Sequence, residues 1–240
     1  MIRPEAPTEV RAPFEPLPKI SVAARGSIAA EANRVNDRYL DEFLEEYAFC
    51  PYSRPGRKRG EVFRYVHYFD DADLEPVLEL FTQIAADPRQ VVAQVIFPAI
   101  EVEPKPWARF CHQLTALGHT RVEGGPFLAV APLHPRLRFN DKNEATLVPL
   151  FRRTPDPTIQ WVRLDGLASI YEGRGNDKIF VDIDAIPSLL EQPERTPLWD
   201  QIAQTNMAMA RRLSIPTVEA LLADIAEDAR LSYERVLSEG

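Results

Sequence analysis

Val91-Val92-Ala93-Gln94-Val95-Ile96-Phe97 is an apolar run broken once, by a glutamine. Alternate side chains of a β-strand point to opposite faces, so a run without polar alternation predicts a strand covered on both sides. Helical patterns flank it. Leu74, Val77, Leu78, Phe81 and Ile84 form one apolar stripe that ends before Pro88. Trp107, Phe110, Cys111, Leu114 and Leu117 form a second, with Gly118 expected as its C-cap. Further strands are predicted at Val62–Phe69, Phe127–Ala131 and Ile159–Leu164, rich in β-branched and aromatic residues. Alternating strands and helices predict an α/β fold with a mixed, partly parallel sheet and covering helices.

An earlier helix carries Val35, Tyr39, Leu40, Phe43, Leu44 and Tyr47 on one face and should stop at Phe49-Cys50-Pro51. Beyond Ile179–Ile183 the pattern turns helical again. Thr196-Pro197 and Ser214 to Pro216 mark two helix starts, and the second leads a stripe through Val218, Leu221, Leu222, Ile225, Ala229 and Tyr233. Residues 197–237 therefore read as a C-terminal helical hairpin appended to one α/β domain spanning 28–240. Five of the 22 prolines fall in residues 1–18. Proline fixes φ and removes a donor, so residues 1–20 read as an extended, removable tail.

The chain holds 240 residues, 28 Lys+Arg and 36 Asp+Glu, a net charge of −8. That balance argues against a broad phosphate-tracking surface and hence against nucleic acid as a partner. No window reaches the ~20 apolar residues of a membrane span. Two cysteines build no disulfide framework, which points to a reducing, cytoplasmic setting. Gly-rich phosphate loops, dinucleotide fingerprints, Cys-x-x-Cys pairs and His-Glu-x-x-His are all missing from the sequence, so no cofactor is expected. Arg174, in the turn Gly173-Arg174-Gly175-Asn176, carries little by itself.

Three clusters could carry chemistry. Cys50 follows a helix end, whose partial negative charge raises a thiol pKa, but Arg54, Arg57, Lys58 and Arg59 follow closely and would lower it. It is either a reactive thiol or a small buried hydrophobe, whereas Cys111 lies on a core stripe. His134, in Pro132-Leu133-His134-Pro135, sits just past a strand end, where sites form in α/β sheets; a loop histidine bonded to backbone is the plain alternative. The third cluster runs from Arg152-Arg153-Thr154-Pro155-Asp156-Pro157 to Gln160 and Arg163. A guanidinium at Arg163, on a half-buried strand face, needs a partner. An internal Asp165 or Asp182 would serve, or a ligand carboxylate or phosphate held bidentately.

In order along the chain, these clusters resemble a bacterial family known as a domain of unknown function. Its members carry Leu-Cys-Pro-Phe, Phe-His-Pro and Asn-Arg-Ser-Pro-x-Pro-x-x-His-x-x-Arg motifs. Cys50-Pro51-Tyr52 resembles the first, Leu133-His134-Pro135 with Phe139 the second, and Arg153-Thr154-Pro155-Asp156-Pro157 with Arg163 the third, over roughly residues 30–170. The family histidine falls on Gln160, its Asn on Arg152 and its Ser on Thr154. The resemblance implies a shared site without naming a reaction.

The expected function is an enzyme acting on a small anionic metabolite. Cys50 would be nucleophile or redox thiol and His134 its acid–base partner, with Arg153 and Arg163 as an anion clamp flanked by Thr154 and Gln160. The alternatives are a non-catalytic ligand-binding or accessory protein, and last a metal site built on Cys50, His134 and a carboxylate.

Overall fold

The computed structural model describes residues 10–15, 21–69, 73–122, 124–166 and 198–239. The expected Ile179–Ile183 segment, Thr196-Pro197, the turn at Arg174 and Asp182 lie outside the described residues. The elements are, in order, α1 (Val22–Arg38), a π-helical turn (Tyr39–Glu45), α2 (Ser53–Lys58), β1 (Val62–Val66), α3 (Glu75–Ala86), β2 (Val92–Ile96), α4 (Pro104–Arg121) and β3 (Leu128–Leu133). They continue with α5 (Glu144–Leu147), a 3-10 turn (Val148–Arg152), β4 (Thr158–Arg163), α6 (Leu198–Leu213) and α7 (Ile215–Glu239). Among the described residues no helix is long and apolar enough to cross a membrane.

The sheet is mixed, in the order β1-β2-β4-β3. β1 pairs with β2 in parallel, and β4 lies antiparallel to both β2 and β3. Its two faces are covered by different elements. Ala93 and Val95 of β2 and Ile159 and Trp161 of β4 pack with Val77, Phe81, Trp107, Phe110 and Leu114 of α3 and α4. On the other face Ile96 packs with Ile28, Ala32 and Val35 of α1 and with Ala229 and Tyr233 of α7. Coverage on both sides is why β2 reads as an apolar run with Gln94 as its one break. A third cluster joins Tyr39, Phe43, Phe49, Phe151, Met207, Val218 and Ile225, so the C-terminal pair α6–α7 is packed into the domain.

Two local expectations are corrected. Gly118 is no C-cap, because α4 runs on to Arg121. A Cβ at Gly118 would lie 2.7 Å from the Phe81 ring, so the glycine lets α3 and α4 approach. Residues 10–15 of the proline-rich segment are not a free tail either: Phe14 is buried, its ring edge-on to Phe69 at 4.8 Å and to Phe110 at 5.7 Å. Aromatic burial fixes a stretch that prolines keep out of regular structure.

Gly118→Ala is therefore expected to destabilise the protein by about 1–3 kcal/mol through overpacking against Phe81. Gly26→Ala, in α1 with nothing near its Cβ, should stabilise by roughly 0.5–1 kcal/mol; urea denaturation of both variants checks the contrast. Phe14→Ala should cost about 3 kcal/mol, and an unchanged urea midpoint would return residues 10–15 to the status of a tail.

Candidate functional site

α1 does not continue as a regular helix toward Cys50; it widens at Tyr39 into the π-helical turn. Such turns insert an extra residue per turn and recur at functional sites. The chain then reverses through Ala48, in the left-handed region at φ 54°. Phe49 buries its ring 4.6 Å from Phe151, and its carbonyl accepts Asn206 Nδ2 of α6 at 2.9 Å. Cys50 follows at once and is half-buried.

Tyr39 organises this corner. Its hydroxyl donates to the Phe151 carbonyl at 2.6 Å. The Cys50 thiol and the Arg152 guanidinium are both close enough to bear on its ionisation, and burial pushes the phenol well up. Burial also pushes the Cys50 thiol up to about 11; the Ser53 backbone N–H opposes this and Glu45 adds to it. The arginines expected to lower it are occupied elsewhere. Arg57 pairs with Glu45 at 3.0 Å and also with Asp41 and Asp37. Arg54 faces Glu45 at 3.6 Å, and Arg59 bonds Glu61 at 2.7 Å. An open groove of about 510 Å³ lies among Asp41, Glu45, Arg54, Arg57 and Lys58, where charges of both signs already answer one another.

The structure does not bring His134, Arg153 and Arg163 to one pocket. His134 is buried, its Nδ1 accepting the Arg136 N–H at 3.0 Å and its Nε2 facing the Val102 carbonyl at 3.0 Å. Those contacts fix a neutral Nε2–H ring whose two nitrogens are both used, and burial lowers its pKa further. Arg153 donates to the Leu137 carbonyl at 2.8 Å and to Glu219 of α7 at 3.1 Å, and covers the Phe139 ring. Arg163 donates to the Ile84, Ala85 and Asp87 carbonyls at 3.0, 2.6 and 3.1 Å, closing the C-terminus of α3, with Asp165 at 3.6 Å. It sits five residues along β4 from Thr158, about 17 Å, at the sheet end opposite His134.

The two polar neighbours of the clamp have local partners as well. Thr154 Oγ1 donates to the Asp156 carbonyl at 2.7 Å, and Gln160 Oε1 accepts Gln94 Nε2 at 3.0 Å across the sheet. Among the described residues no group of three or more His, Cys, Asp or Glu side chains is arranged to hold a metal ion.

Arg152, one residue before Arg153, behaves differently. The residue is exposed, and the packing around the inner part of its side chain, beside Tyr39, holds its guanidinium below its usual value. Among the described residues its guanidinium has no hydrogen bond and no ion pair. Sequence reasoning had only its place beside Arg153 and could not tell which of the two arginines turns toward Tyr39. Asp156 also escaped notice: it is buried and accepts from Tyr233 Oη at 2.7 Å. Compared with models of known families, with curated proteins and with solved structures, the chain matches none.

The raised thiol predicts slow alkylation. The iodoacetamide rate at Cys50 should climb about tenfold per pH unit up to pH 9.5 without levelling off, since only the thiolate reacts. A plateau below pH 8 would reveal a reactive thiolate and reverse this assignment.

Proposed function

We propose that the protein binds a small anion, a carboxylate or a phosphate, through Arg152, at the corner where Arg152 and Cys50 both lie near Tyr39. One observation carries the reading: among the described residues the Arg152 guanidinium has no hydrogen bond and no ion pair although it lies beside Tyr39, whereas Arg64, Arg153 and Arg163 are each matched. An uncompensated charge in a low-dielectric setting costs stability unless a ligand answers it. Both cysteines are free, in keeping with a reducing, cytoplasmic location.

Here Cys50 lines the site as a neutral thiol and His134 is a structural residue, so the binding reading is preferred to cysteine catalysis. Catalysis keeps one observation in its favour, the Ser53 N–H directed at the Cys50 sulfur, but Glu45, the carboxylate acting on that thiol, is engaged by Ser53 and Arg57.

The test is Arg152→Met, which keeps an apolar stem and removes the charge. Phosphate, citrate and acetate are titrated against wild type and variant by calorimetry and thermal melting. At least one should raise the wild-type melting temperature. The variant should bind it roughly 30- to several-thousand-fold more weakly, the usual range for losing a desolvated charged contact. In anion-free buffer the variant should melt no lower than wild type. Equal anion binding by both proteins would discard the proposal.

A further inference from the structure

We propose that Asp156 and Tyr233 form a pH-sensitive latch that holds the C-terminal helix α7 on the sheet. The inference is independent of anion binding. Asp156 lies in the turn Pro155-Asp156-Pro157 that leads into β4, and its side chain is buried. Tyr233 Oη, from α7, donates to its Oδ2 at 2.7 Å. The Ala99 backbone N–H, presented by a left-handed residue at φ 60°, reaches the same carboxyl. Among the described residues no lysine, arginine or histidine pairs with it. Two donors and no cation leave a buried carboxylate under-compensated, so the docked helix favours the neutral acid.

The groups facing the pair are Tyr68, which follows β1, and Glu31 of α1. Glu31 is kept ionised by Arg34 at 2.8 Å, with Arg235 nearby, and Tyr68 is pushed up to about 12, so neither titrates near neutrality. The other ties between α1 and α7 also hold their charge there. Asp228 is bound by Arg34 at 2.7 Å and Arg38 at 2.8 Å and sits far below the usual carboxylate range. Through the neutral window the latch changes state while these pairs do not.

Burial raises the Asp156 carboxyl from 3.8 to about 7. The docked state therefore binds the proton more tightly than the undocked one. The latch's contribution is complete below pH 3.8, falls as pH rises, and is gone once pH passes about 7. The same helix holds Arg153 through Glu219, so undocking loosens the segment that presents Arg152.

Hydrogen exchange of the full-length chain tests this, reading α7 amides around Tyr233 against β2 amides after correction for intrinsic exchange. Between pH 5.5 and 8.5 the opening equilibrium of α7 relative to β2 should rise by about 30-fold and level off above pH 7. Asp156→Asn should remove that dependence. Tyr233→Phe takes away a donor to the ionised form and should move the transition to higher pH. A flat wild-type profile, an Asp156→Asn profile like that of wild type, or an unmoved transition in Tyr233→Phe would each overturn the latch. If Asp156→Asn does not fold, the direction of the Tyr233→Phe shift decides.

Discussion

β4 runs antiparallel between β2 and β3, which are themselves parallel to each other. That insertion constrains everything at one end of the sheet. Leu133, the last residue of β3, is the register partner of Thr158, the first of β4, so residues 134–157 must leave and return at the same edge. A connection of that length cannot run free over a compact domain without finding partners for its backbone groups. It finds them at once: His134 N–H bonds the Arg152 carbonyl at 3.1 Å, and the Phe97 N–H bonds the Pro157 carbonyl at 2.9 Å. The Phe151 carbonyl goes to Tyr39. The last of these draws the π-helical turn, and Cys50 beyond it, to the edge where Arg152 emerges.

The parts of this fold that repeat in sequence were readable. Strand and helix faces follow from periods of 2 and 3.6, and the four strands stand within a few residues of the expected segments. Contacts between distant segments were not readable. Arg163 was flagged as a buried charge needing a partner, and the partner proved to be three main-chain carbonyls at the end of α3. Carbonyls leave no mark on a sequence. Gly118 had the residue type of a cap and the role of a close approach, and only the facing Phe81 distinguishes them. Phe14 sat among prolines that mask an aromatic anchor. Asn206, which holds the Phe49 carbonyl, and Asp156, hidden between two prolines, gave no signal of their own.

The arginines illustrate how one residue type divides into different roles. Arg163 and Arg153 could hold an external anion only by giving up bonds worth roughly 1.5–3 kcal/mol each, the range for hydrogen bonds involving charged groups. Both are better read as internal clamps, one on α3 and one on α7. Arg152 has no such hydrogen bond or ion pair to give up among the described residues. The same accounting explains His134: recruiting it as a base would release both the Arg136 N–H and the Val102 carbonyl from their ring partner.

A chain of net charge −8 is not an obvious host for an anion, and the objection has a definite range. At physiological salt the Debye length is about 8 Å, so most exposed carboxylates act on a bound anion only through a screened, high-dielectric path. The acidic cluster of Asp37, Asp41 and Glu45 is paired with Arg54, Arg57 and Arg64 and presents little net field. A guanidinium in direct contact with an anion counts for more than charges several Debye lengths away. Net charge therefore bears on the rate at which an anion arrives, which falls with repulsion and recovers with salt. On the proposed reading, how tightly the anion is held depends on the contacts made at Arg152, not on net charge.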